Sequence, residues 1–157
     1  MTFDFEYELT GSGWAAAVIS TEDRRFQMTA SYLSDALGDL LQALIDLMEG
    51  KHKVSFTFMD EPGEHRVSIT KIDVRKVLME IDWFDDWLSW GMDDEKKGKR
   101  VLDLELELPE LTNKVKNSLD QIIKKYGLSG YKAKWVEHDF PVHNYEKLKL
   151  YIRNVGH

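Results

Sequence analysis

Leu102, Leu104, Leu106 and Leu108 alternate with Asp103, Glu105 and Glu107. A period of two places every leucine on one face of an extended chain and every acid on the other, so the segment needs a core on one side and water on the other. Phe3, Phe5, Tyr7 and Leu9 alternate in the same way with Asp4, Glu6 and Glu8. Two such stretches, one at the start of the chain and one two-thirds along it, call for β-sheet with at least one buried face.

The segments between them extend the pattern. Gly11-Ser12-Gly13 reads as a turn, Trp14 to Ser20 as a second strand, and Phe26, Met28 and Ala30 as the alternating positions of a third. Short connections make this an antiparallel meander. Val54, Phe56 and Phe58 mark a further strand, Val67 and Ile69 (with Ile72) its partner, and Val77, Met79 and Ile81 a sixth. Pro62 followed by Gly63 predicts a type II turn in Asp60-Glu61-Pro62-Gly63, because proline presets φ and glycine accepts a positive φ.

Helical spacing appears in two long runs. Leu33, Leu37, Leu40, Leu41, Leu44 and Met48 predict a helix over 32–49, with Ser31 as its cap and Gly50 as its stop. Leu111, Val115, Leu119, Ile122, Ile123 and Tyr126 predict a second, entered at Pro109 and ended by Gly127. Tyr131, Ala133 and Trp135 read as a short extended piece, and Val142, Tyr145, Leu148 and Ile152 as a short final helix. The expected fold is α+β: one antiparallel sheet of about six or seven strands, packed by two long amphipathic helices and a short C-terminal one. The residues 93–100 form a charged loop without an apolar side chain, expected to be mobile. A boundary there would leave about sixty residues, too few for a comfortable separate core, so 1–157 reads as one domain.

Composition narrows the function classes. The chain has 157 residues and no cysteine, which removes disulfides, thiolate metal sites and a cysteine nucleophile. No basic leader with an apolar stretch opens it, and Leu33–Met48 is interrupted by Asp35, Asp39 and Asp46. The expected location is the cytoplasm. The formal net charge is −7, and residues 1–50, with nine acids and two bases, carry all of it. An acidic face disfavours nucleic acid and anionic lipid and favours a basic protein. No P-loop, GxSxG, HExxH or GxGxxG following a strand occurs. No cofactor or metal is expected.

The segment from Glu80 to Glu95 stands out. It has seven acids, no base, Phe84 and three of the five tryptophans, Trp83, Trp87 and Trp90. As a binding surface, aromatic anchors ringed by Asp85 and Asp86 match the chemistry of protein hot spots. As plain structure, Trp83, Phe84, Trp87, Leu88 and Gly91 would share one face of a short amphipathic helix, a reading the spacing favours. Trp90 lies off that stripe and is the candidate for an exposed aromatic. The loop with Glu61, Glu64 and His65 is a second candidate binding site. His138 and His143 are a third, although a spacing of five does not match a helical zinc pair.

The runs Ser31-Tyr32-Leu33-Ser34-Asp35-Ala36-Leu37, Asp60-Glu61-Pro62-Gly63-Glu64 and Tyr126-Gly127-Leu128-Ser129-Gly130-Tyr131 to Trp135 resemble a group of uncharacterised bacterial proteins of similar length. In size, charge and fold class the chain also resembles immunity proteins that neutralise basic toxins. The acid-rich first third and the Trp83–Glu95 segment point to a non-catalytic protein-binding protein with a basic partner, of which an immunity-like role against a basic toxin is the most concrete version; a structural oligomer such as a homodimer is a third reading. The alternative is a small-molecule binder or small enzyme using Glu61, Glu64, His65, His138 and His143, with a pocket between the sheet and the C-terminal helices.

Overall fold

A computed structural model describes residues 2–92, 94–135 and 138–155. It contains seven strands and three helices among them. The strands divide into two antiparallel sheets, β1-β2-β3 and β4-β5-β6-β7, where the sequence led us to expect one. β1 (Asp4–Gly11), β2 (Trp14–Ser20) and β3 (Arg25–Ser31) form the first. β4 (Lys53–Met59), β5 (Glu64–Lys71), β6 (Lys76–Phe84) and β7 (Lys99–Glu107) form the second. Alternation specifies that a strand has an inside, not which strand lies beside it. The link from β3 to β4 runs through α1 (Ala36–Met48), and that crossover separates the two meanders.

Asp35 caps α1, its carboxylate accepting from the Gly38 N–H at 3.2 Å. The helix thus starts four residues later than the leucine spacing predicts, and Ser31 ends β3 instead of capping. α2 (Leu108–Trp135) is broken at Gly127, where φ is 69° and ψ 178°. Beyond the break Tyr131 and Trp135 are fully buried while Ala133 is exposed. Only a helix puts residues 131 and 135, but not 133, on one face. The predicted extended piece is therefore helical. α3 (Val142–Val155) has 14 residues against 13 in α1, so it is not the short helix expected.

α2 packs on β1, α1 packs on β4, and α3 lies against both helices. One buried apolar cluster takes in Phe5, Tyr7 and Leu9 of β1, Leu41 and Leu44 of α1, Val67 and Ile69 of β5, and Val115 and Leu119 of α2. β1 is an edge strand whose outward backbone groups would be open to pairing. Ser118 of α2 closes that edge. Its Oγ accepts from the Tyr7 N–H and donates to the Phe5 carbonyl, both at 3.2 Å. A helix serine here takes the place of a neighbouring strand.

The Asp60–Gly63 turn contains a cis Glu61–Pro62 bond, the type VI arrangement, in place of the expected type II turn. Gly63 has φ +95°, and a Cβ there would lie 2.8 Å from the Phe84 carbonyl oxygen and against the Trp83 ring. Within the charged loop Glu95–Lys97 form one 3-10 turn, Lys99 already belongs to β7, and Gly98 packs against the Phe84 ring.

Candidate functional site

The aromatic-acidic segment is not the amphipathic helix its spacing favours. Trp83 and Phe84 complete β6, where His65 pairs with Trp83 and Glu64 with Phe84. The chain then turns back, with a single 3-10 turn at Leu88–Trp90, and lies over one end of the outer face of the second sheet. Phe84 and Met59 on that face are buried.

Glu64 holds this folded-back segment. Its side chain is fully buried, 0% exposed. Its two carboxylate oxygens accept from the Ser89 N–H at 2.8 Å and from the Ser89 hydroxyl at 3.0 Å, and the Arg66 guanidinium lies 3.9 Å away. A carboxylate in that setting anchors a loop; it does not face a ligand. Trp87 adds a second tie, its indole N–H donating to the Asp60 carbonyl at 2.8 Å. Trp90 rests on Trp87, ring centroids 5.0 Å apart at 61°. It is 51% exposed, and Met92 two residues on is exposed as well.

Carboxylates flank this platform. Glu61 is exposed in the adjoining turn. Asp85 is exposed and accepts from the Trp83 indole at 2.7 Å, while Asp86 accepts from the Trp87 backbone N–H at 2.8 Å. Glu80 and Asp82, on the outer face of β6, both pair with Arg100. Asp93 lies outside the described residues.

His65 sits on the other face of the sheet, between Phe26 and Trp83 at centroid distances of 5.6 and 4.7 Å. Burial in that aromatic slot pushes its imidazole down to about 4, with Asp60 opposing the shift. It is a neutral packing histidine across the physiological range, and its Nδ1 is buried without a hydrogen-bond partner.

The groups named for catalysis therefore do not converge. Among the described residues no hydrogen bond or ion pair joins any two of Glu61, Glu64, His65, His138 and His143. His138 is within electrostatic reach of Asp39 on α1, and His143 is exposed on α3. None of the five lines the apolar cleft of about 380 Å³ between Leu47, Val74, Leu108, Pro109 and Ile152, or the polar cleft of about 350 Å³ beside Asp39, Asp46 and Lys53. No group of three or more His, Asp or Glu suited to a metal ion occurs among the described residues. No described helix is long and apolar enough to cross a membrane.

The negative charge of residues 1–50 does not form one surface. Asp4, Glu6 and Glu8 lie along β1, Glu22 and Asp23 in the β2–β3 turn, and Asp46 and Glu49 at the end of α1. Later lysines meet several of them: Lys114 with Asp4 at 3.6 Å, Lys51 with Asp46 at 3.7 Å and Lys147 with Glu49 at 3.2 Å.

No family model matches the chain, and no curated protein matches it. Among solved structures it is similar to a chain of the CdiA-CT/CdiI toxin and immunity complex from Enterobacter cloacae. The identity is 9% and the TM-score 0.48, with 76% of this chain and 99% of that chain covered.

Proposed function

We propose that this one-domain chain is a non-catalytic protein-binding protein that docks a basic protein on the Trp87–Trp90 platform, in the manner of an immunity protein against a basic toxin. The observation that carries the reading is Trp90, half exposed and packed edge-on against a tryptophan that is itself fixed to Asp60. A large aromatic held in place before binding loses little freedom when a partner covers it. Glu61, Asp85 and Asp86 around it favour Lys and Arg on that partner and speed encounter. The two ties through Glu64 and Trp87 support the same view, since they hold a connecting segment to a rigid sheet.

Affinity capture from a lysate of the source organism tests it. Wild type and a Trp90→Ser variant are compared at low and high salt. The expected result is a basic protein retained by wild type, weakened by salt and lost from the variant. Identical retention by both proteins would remove the platform from the account.

A further inference from the structure

Besides His65 Nδ1, five buried side-chain polar atoms have no hydrogen-bond partner among the described residues: the Tyr7 and Tyr131 hydroxyls, the Ser31 and Ser34 hydroxyls and the Trp135 indole N–H. Tyr7, Ser31, Tyr131 and Trp135 are all more than nine-tenths buried. They come from β1, the β3–α1 junction and the last segment of α2, which the fold brings together. The Gly13 N–H donates to the Lys134 carbonyl at 2.6 Å, and the Gly13 carbonyl accepts from the Tyr32 N–H at 2.9 Å. Those two bonds seat residues 31–35 beside the end of α2. Tyr131 and Trp135, one turn apart, share a helix face. Burial holds both phenols above the usual tyrosine range; Tyr131 adds to the effect on Tyr7, and the Asp35 carboxylate acts on both.

Native interiors leave few such atoms unsatisfied, because each forfeits its hydration on folding. Five left unsatisfied would consume a large share of a domain's small net stability. We propose that internal water molecules bridge Tyr7, Ser31, Ser34, Tyr131 and Trp135 in the seam between the first sheet and the last segment of α2. Water suits the chemistry of the set. The indole can only donate, whereas each hydroxyl donates or accepts, so a bridging molecule must do both. The neighbouring Asp35 disfavours an anion. The burial of Ser31, Tyr131 and Trp135 at 0% exposure leaves no opening for an organic molecule. Globular proteins hold on the order of one buried water per 27 residues, typically with about three hydrogen bonds each.

The test is magnetisation transfer from water to the Trp135 indole proton in the intact chain, read as paired laboratory-frame and rotating-frame experiments. A bridging internal water gives a direct cross-peak with the sign of a long-lived water. No cross-peak at Trp135 would overturn the proposal. So would native mass spectrometry showing a discrete mass above that of the polypeptide together with displacement of the water signal. A Tyr131→Phe variant should lose at least one ordered water in this seam in a high-resolution crystal structure, with the fold unchanged. An unchanged set of waters contradicts the bridging role, and the wild-type measurement decides the question if that variant does not fold.

Discussion

Replacing Glu64 tests whether one buried carboxylate holds the Trp87–Trp90 platform in place. Two hydrogen bonds from Ser89 end on it, at 2.8 and 3.0 Å. Bonds to a charged acceptor contribute about 1.5–3 kcal/mol each, against about 0.5–1.5 kcal/mol for neutral pairs. Glu64→Leu removes both and leaves the Ser89 N–H without its acceptor. Part of that loss is offset, because a buried carboxylate no longer has to be desolvated. We expect residues 85–92 to open more readily by about 3 kcal/mol, which is about a hundredfold loss of hydrogen-exchange protection at the Ser89 amide. Strands β4 to β6 keep their protection, since their ladder bonds do not involve the Glu64 side chain. Glu64→Gln is the matched control. Its amide oxygen still accepts from the Ser89 N–H and its NH₂ can donate to the Ser89 hydroxyl, so protection should fall by no more than about tenfold. Native-state exchange read by NMR or mass spectrometry resolves both changes. Equal Ser89 protection in wild type and Glu64→Leu would refute the anchoring role, and an equal fall across every strand would show that the effect is global.

Three further substitutions probe the frame around the platform. Ser118→Ala leaves the Tyr7 N–H and Phe5 carbonyl unpaired against α2, and should cost about 1–3 kcal/mol in denaturant unfolding; a midpoint within error of wild type contradicts the edge-closing role. His65 takes up a proton near pH 6.5 when unfolded but only near 4 when folded, so acid favours the unfolded state. Wild type should therefore lose up to about 2 kcal/mol more than His65→Phe between pH 7 and pH 5, and parallel stability profiles would argue against a neutral buried imidazole. Gly63→Ala forces a Cβ onto Trp83 and Phe84 at a positive φ, with an expected cost of about 2 kcal/mol or more in thermal or denaturant unfolding; a stable variant would contradict that packing.

Particular residues show what the sequence could and could not reveal. The leucines of β7 and α1 were legible because a buried face imposes its own period on them. Trp90 is exposed as expected, but the helical stripe it was set apart from does not form, so its exposure has another cause: it lies on the outside of the folded-back segment. The path of residues 83–91 was not legible. Trp83, Phe84 and Trp87 satisfy a helical spacing, but β5 was already in place to pair with Trp83 and Phe84, and that pairing extends the strand. Tyr131, Ala133 and Trp135 gave a matching ambiguity in the other direction. Three positions fit a strand, and only the exposure of Ala133 reveals a helix. Glu64 reads in sequence as a loop-tip residue because it lies on an outward face of β5. That face becomes interior only where residues 85–92 fold back over it and Gly98 packs on Phe84, a long-range event with no local sequence signal.

The proposed docking rests on Trp90 as the point of contact with a basic partner. Its direct measurement is the affinity of the captured partner for wild type, Trp90→Ser and a control, Leu150→Ser, which removes a comparably exposed apolar side chain from α3. Losing a central anchor of an interface costs about 2 kcal/mol or more, or at least about thirtyfold in affinity. We expect that loss for Trp90→Ser, with Leu150→Ser unchanged and the thermal midpoints of all three proteins close together. Equal affinity for wild type and Trp90→Ser would contradict the platform as the docking site.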